Sequence, residues 1–534
     1  MNPSNLLVRS PSGEYRLSVQ EGRSVREALD ATTVRVRAAC GGVGSCGACV
    51  VRLLGGEANP ATLAEYQKLT AEQRGQGLRL SCQLRPRGDV EILVDRPARP
   101  SPWKSIPLES LVPLRGGLPA LERHVFGVAV DLGTTHIRVA LWDRQRGRRI
   151  ATRQGPNPQG DYGADVLNRL HAAASRPEHA GELARAARSA ILRALRDMLA
   201  RDVGEVSPML AEIGQLIVVG NTAMLALLTA RGGASLLDPV NWQSAIDCRP
   251  LDPPAWRLPW RLPNAEIIVA DPVAGFVGSD LSAGLLATRL AEGPPGSLLL
   301  DVGTNIEIAL WDGENLYASS VPGGPAFECV GIRHGMAAEP GAVFRVVRQA
   351  GTFACETIGG GPARGFCGSG LVDAIAVLLE AGLLKPSGRF ATPPGGAGHA
   401  LEPGNPRTAI TGGDVDALQR AKAAAAAAMA ELLALAGLDW RGVKRLCICG
   451  AFGHTLDIGH AQQIGLLPAM DAAGVELHAN AALAGCEQAL LTADGPRLLS
   501  ELAGRTRLIN LSYRPGYEDR YIQCLRLCPI AINH

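Results

Sequence analysis

Four cysteines carry the densest chemistry in this chain. Cys40, Cys46 and Cys49 lie in AACGGVGSCGACVV with C-x5-C-x2-C spacing, and Cys82 follows after a further 32 residues in LRLSCQL. Four thiolates can hold an iron–sulfur cluster, three from one loop and one from downstream. Gly41, Gly42, Gly44 and Gly47 suit the task, because glycine takes positive φ at little cost and lets loop N–H groups turn toward sulfur. A zinc site, a disulfide pair or ordinary buried thiols are the alternatives. A zinc knuckle normally shows two C-x2-C pairs, and only one is present. The expected metal ligands are Cys40, Cys46, Cys49 and Cys82 of a [2Fe–2S] cluster.

A second chemistry comes from an internal repeat. FGVAVDLGTTHIRVALWD begins at Phe126 and SLLLDVGTNIEIALWD at Ser297. Both read apolar strand, D-x-G-T, then a second apolar strand ending A-L-W-D, and their aspartates, Asp131 and Asp301, stand 170 residues apart. Glycine in such a turn lets backbone approach a phosphate. The turn amides with Gly133, Thr134, Thr135, Gly303, Thr304 and Asn305 could donate to phosphate oxygens. The aspartates cannot face bare phosphate, so they must hold Mg2+, directly or through water, or orient an attacking water. Glu307 and Asp280 are further candidates for orienting water; Glu307 reads equally well as a strand carboxylate facing solvent. LCICGAFGH (446–454) is a short apolar strand running into small residues, and Gly450 and Gly453 are expected to lie against an adenosine. LIVVGNTAM (216–224) has the same strand-to-helix form.

The whole chain must position these groups. Its 534 residues, 46% apolar and 19% charged, suit a multidomain globular protein. A net charge of +2 and 4% aromatics argue against nucleic acid or an anionic membrane as partner. The first residues lack an apolar h-region, so no secretory signal is expected. The Ala-rich stretch 421–438 is interrupted by Glu431 and reads as a buried helix rather than a membrane span. Thirteen cysteines without a signal point to a reducing compartment, the cytoplasm. Cys447, Cys449, Cys524 and Cys528, like the unclustered Cys248, Cys329, Cys355, Cys367 and Cys486, are expected to be buried thiols, and His454 and His460 to be surface or supporting residues.

Residues 5–20 alternate as a hairpin turning at Ser12-Gly13, and Ser24 with Glu27 forms a capping box opening a short helix. The cluster loop, a strand VVRLL, a helical stretch near 61–74 and a last strand VEILV follow. Six prolines between residues 95 and 124 mark a semi-rigid linker, expected to pack as a small element of its own. The expected division is a [2Fe–2S] domain over 1–96, the linker over 97–124, a first ATPase lobe over 125–296 and a second over 297–534.

The order of hairpin, helix, cysteine loop and late fourth cysteine resembles the β-grasp ferredoxins, and the five-residue first gap resembles the adrenodoxin-like branch rather than the plant type. Two D-x-G-T turns and a late glycine-rich turn resemble the actin/Hsp70/sugar-kinase superfamily, with its duplicated RNase H-like lobes. Together they resemble the ATP-dependent reductive activators of corrinoid proteins. NPQGDYGADVLNRL (157–170), DPVAGFVGSD (271–280), GPAFECVGIRHGMAAEPGAV (324–343), GFCGSGLVDAI (365–375) and AFGHTLDIGHAQQIGLLP (451–468) extend that likeness over nearly the whole chain.

The resemblance implies an α/β multidomain protein that uses ATP, Mg2+ and a [2Fe–2S] cluster. It would reduce a corrinoid (cobalamin) protein of a methyltransferase system from Co(II) to Co(I), with electrons from a donor protein or other reductant. ATP makes sense in such a step, because each 59 mV by which an acceptor lies below its donor costs about a factor of ten in a one-electron equilibrium. The chain has no D-x-H-x-x-G string, so the corrinoid should reside on another protein. Three rivals remain: a [2Fe–2S] electron-transfer protein with a vestigial ATPase half, a small-molecule kinase, and an activator of another low-potential enzyme.

Overall fold

Leu6 and Val8 are buried while Asn5, Leu7 and Arg9 between and beside them are not, and this alternation forms the expected first hairpin, Ser4–Ser10 against Gly13–Val19, in a computed structural model. The structure describes residues 4–530 apart from 12, 20, 21, 31, 33, 38, 39, 41, 43, 99, 100, 107–125, 164, 200–206, 304, 324, 325, 330, 350, 451, 453 and 454. The capping box holds: the Ser24 N–H and hydroxyl both donate to Glu27 at 2.8 Å, opening the helix Val25–Asp30. The strands Val50–Ala58 and Pro86–Leu93 and the helices Leu63–Lys68 and Ala71–Gly75 form where expected. A short strand, Leu78–Leu80, precedes Cys82. Strand Ser4–Ser10 runs parallel to Pro86–Leu93 at the centre of a five-stranded sheet, a β-grasp arrangement.

The two repeats fold alike. Phe126–Leu132 and His136–Asp143 pair antiparallel, as do Ser297–Val302 and Ile306–Trp311. Each lobe adds a third antiparallel strand, Arg148–Pro156 or Leu316–Val321, on one side. Each adds two parallel strands on the other: Ile213–Gly220 then Glu266–Val269, or Arg445–Gly450 then Val475–His478. The shared strand order establishes the duplication, and the second sheet gains one further strand, Thr506–Leu508.

Both faces of these sheets are buried, which is why their strands read as continuous apolar runs. Val128, Val130 and Leu132 pack beneath the helix Pro177–Leu199, while Ala129 on the other face meets Leu483 and Cys486 of the helix Ala481–Leu491. That late helix therefore lies under the first lobe. Between the sheets it crosses the helix Ser279–Thr288 so closely that a Cβ at Gly485 would stand 1.8 Å from the Ala283 carbonyl. Glu487 is fully buried there, taking 2.6 and 2.7 Å bonds from Arg149 and one of 2.8 Å from the Trp142 indole. The Ala-rich stretch is a buried helix, Gly412–Leu435. Among the described residues no helix is long and apolar enough to cross a membrane.

Two expectations fail. The described linker residues 101–106 do not stand apart. Trp103 is buried in the core of the first lobe and Lys104 bridges to Gln154, because a lone indole gains most by joining an existing core. Cys524 and Cys528, with Cys355, are only half-buried, since they lie on thin edges of the second lobe rather than in its centre.

Candidate functional site

The cluster loop is built from two sides. The N–H of Arg26 donates to the Ser81 carbonyl at 3.0 Å and that of Val25 to Leu84 at 2.9 Å, so the first helix pins the turn carrying Cys82. Gly42, Gly44 and Gly47 take φ of +99°, +87° and +68°, the conformation expected of them; Gly41 lies outside the described residues. Cys40, Cys49 and Cys82 are buried, and Cys46 is half-buried. The thiols meet in pairs. A hydrogen bond from Cys46 holds Cys40 down to about 4. One from Cys82 holds Cys49 down to about 7, with help from the Arg26 charge, and Cys82 rises in consequence. The Ala48 N–H donates to Cys46 Sγ at 3.4 Å and Gln83 Nε2 to Cys82 Sγ at 3.5 Å. Four free thiols, two of them held below the ordinary thiol range and two served by N–H donors, fit the chemistry of an iron–sulfur cluster.

The second site lies where the lobes face each other. Strand register sets Asp131 opposite Arg138 in the first repeat and Asp301 opposite Glu307 in the second. Asp131 is buried and pairs with Arg138 at 2.9 Å. Burial, then the nearby Asp131, pushes Asp301 up to about 6. Burial, then Asp131 and Asp301, pushes Asp280 up to about 7. Glu307 is raised well above its ordinary value by burial, then by Asp280 and Asp301. Glu307 thus faces the cleft and not solvent, and accepts from the Ser320 hydroxyl at 3.1 Å. Four carboxylates from both lobes thus feel one another's charge across a cleft that holds one arginine, a setting that favours positive charge between the lobes.

The turns are held firmly. Asn157 donates to the Gly133 carbonyl at 2.9 Å, Arg169 to the Thr134 carbonyl at 2.7 Å, and Asn221 to the Thr134 hydroxyl at 2.9 Å. Thr135 and Asn305 are exposed at the turn tips, and the Gly303 N–H closes its turn on Asn305 at 3.0 Å. Gly450 has φ +85° and lies so near the other turn that a Cβ would stand 2.6 Å from the Asp301 carboxylate, bringing the expected adenosine turn to the cleft. Thr304, Gly453 and His454 lie outside the described residues. His460 is half-buried and bonded to Asp373 at 3.0 Å. Sequence reasoning missed Arg138, Asn157, Arg169 and Asn221. Arg138 was detectable as the residue occupying the place of Glu307 in the other repeat.

Two other groups, Cys447 with Glu476 and His478, and Asp373 with Asp457 and His460, bring three ligand atoms within 4.8 Å. In both an arginine already holds the carboxylates: Arg445 grips Glu476 at 2.7 and 2.8 Å, and Arg345 pairs with Asp457 and, at 3.4 Å, with Asp373. These are ion-pair clusters, with the cation's place taken.

Known proteins match throughout. The 2Fe-2S iron-sulfur cluster binding domain matches residues 10–87, the RACo middle region 126–293, and the C-terminal domain of RACo, the ASKHA domain, 296–533. The "Corrinoid activation enzyme RamQ" of Eubacterium limosum is 29% identical over 425 residues, covering 75% of this chain and 70% of the relative. The "[Co(II) methylated amine-specific corrinoid protein] reductase" of Methanosarcina barkeri is 27% identical over 383 residues, 64% of this chain and 66% of the relative. A solved "Reductive activator for corrinoid,iron-sulfur protein" superposes with a TM-score of 0.64 at 25% identity over 98% of each chain. With the cluster-binding, middle and ASKHA regions matched in that order, this chain belongs to the RACo family.

Proposed function

We propose that this chain is an ATP-hydrolysing reductive activase that returns a corrinoid protein from Co(II) to Co(I), in support of corrinoid-dependent methyl transfer. One observation carries the reading: a four-thiol site and a two-lobed acidic cleft share one chain, and buried ion pairs join them. Arg35 and Arg153 both pair with Asp197 of the first lobe, and Arg153 pairs with Asp30 of the cluster domain at 3.3 Å. The names of the relatives support the substrate.

Cys40, Cys46, Cys49 and Cys82 hold the [2Fe–2S] cluster, which supplies storage for one electron between a donor and the partner's cobalt. Asp131 and Asp301 hold Mg2+, whose charge offsets that of the phosphates. Gly133, Thr134, Thr135, Gly303, Thr304 and Asn305 bind phosphate, and Gly450 and Gly453 the adenosine. Glu307 or Asp280 orients the attacking water. ATP closes the lobes, and the closed form favours Co(I) protein over Co(II) protein more than the open form does, so linkage lets ATP favour reduction. The division at 96, 124 and 296 and a cytoplasmic location belong to the same proposal, the latter supported by thirteen free cysteines.

Cation binding requires ionised carboxylates. Asp301 and Asp280 are raised to about 6 and about 7, so they become protonated as pH falls through that range. Mg2+-dependent ATP hydrolysis is therefore expected to fall as pH drops from about 8 to 5.5, with Mg2+ affinity falling in parallel. A flat profile measured by coupled assay and calorimetry would contradict the placement of the cation.

The defining experiment is anaerobic. Reduced protein is mixed with a Co(II) corrinoid protein and the cobalt spectrum followed with and without ATP. Co(I) should form faster, or further, with ATP. Hydrolysis indifferent to the partner, together with a phosphorylated metabolite, would replace this reading with the kinase.

A further inference from the structure

We infer that Arg26 is the cation that sets the reduction potential of the cluster site, anchored for that purpose on the first lobe; this rests on the reading of the four cysteines as cluster ligands. Arg26 is 5% exposed, on the helix whose start pins the Cys82 turn. Its Nη1 lies 2.8 Å from where a Cβ of Gly42 would stand, and that point is 3.8 Å from Cys82 Cβ. The guanidinium is therefore packed against both arms of the thiol site. Its charge acts on Cys40, Cys49 and Cys82 together.

The rest of the side chain faces the other way. Nη2 donates to the Met198 carbonyl at 3.2 Å, in the last turn of Pro177–Leu199. Helix C-termini leave their carbonyls unsatisfied and favour cations, so this contact fixes the arginine in place. Asp30 lies 3.7 Å from Nε and also faces Arg153. Nε itself is buried without a hydrogen-bond partner, so Nη1 is the nitrogen that the geometry sets against the thiol loop.

Reduction adds one negative charge to the cluster site. A guanidinium held beside it in a poorly solvated place favours the reduced form, and Asp30 opposes that effect. Their removal must act in opposite directions. The test is a dye-mediated anaerobic titration of the full-length holoprotein, followed by absorbance and electron paramagnetic resonance, without nucleotide or corrinoid protein. R26Q should shift the reduction equilibrium at least about tenfold toward the oxidised form, about 59 mV for one electron. R26K should stay within about threefold of wild type, because it keeps the charge. D30N should shift the equilibrium toward the reduced form.

Unmoved potentials in R26Q and D30N, or shifts of the same sign, overturn the inference, since a merely structural disturbance has no reason to reverse. If R26Q fails to retain its cluster, the D30N shift decides alone: upward supports, unchanged or downward overturns. If D30N fails instead, R26Q against R26K decides in the same way, and loss of the cluster from all three variants overturns the inference as well. Absence of iron from anaerobically prepared wild type would remove the cluster reading itself. An intact cluster with unmoved potentials would remove only this inference.

Discussion

Cys46→Ser is expected to abolish Co(I) formation while leaving ATP hydrolysis within about twofold of wild type, because the thiol loop and the carboxylate cleft are built on separate sheets. Cys46 is the half-buried member of the four, between Cys40 and Cys49 in the loop. A serine hydroxyl stays protonated at neutral pH and makes a poor iron ligand. Replacing a group that merely supports a metal ligand already costs about 10–100-fold in affinity, so losing a ligand should cost more. Iron analysis and visible absorbance read the outcome directly. A variant that keeps its iron and still reduces the corrinoid protein would remove Cys46 from the ligand set.

Asp131→Ala should do the reverse. Among the described residues Asp131 is the cleft carboxylate paired with an arginine, and its loss leaves Arg138 in the cleft without the aspartate that would bridge to the cation. Deleting one preorganised charge contact typically lowers kcat by about 10²–10³-fold, and that is the expected fall in ATP hydrolysis. The cluster spectrum should not change. Any remaining Co(II) reduction should ignore ATP. Asp301→Ala should behave alike, because the strand register makes it the counterpart of Asp131. Hydrolysis that survives either change would refute the twin-turn assignment.

Much of this was legible in the sequence because the informative features are local. Cysteine spacing, the Ser24–Glu27 box and the two D-x-G-T turns each declare themselves within a few residues, and the box and the paired strand hairpins form as expected among the described residues. The side of a strand that Glu307 occupies is not local information. Asp301 and Glu307 sit across from each other only because the hairpin register puts them there, and a lone carboxylate in an apolar strand reads equally well either way. Arg138 and Arg26 were passed over for a related reason. An arginine in a sequence looks like solvated surface, and only tertiary packing shows it buried beside thiols or paired with Asp131 in the cleft. The linker was misjudged because proline density predicts stiffness but not what Trp103 will meet.

The helix Ala481–Leu491 has a consequence for how the molecule is made. It completes the underside of the first lobe, yet it leaves the ribosome some 350 residues after strand Phe126–Leu132. Until then Ala129, Ile217 and their neighbours lack the cover that Leu483, Cys486 and Leu490 provide. The nascent protein must carry an unfinished, sticky surface through most of its translation, which makes chaperone dependence and sensitivity to premature stop codons properties of its N-terminal half.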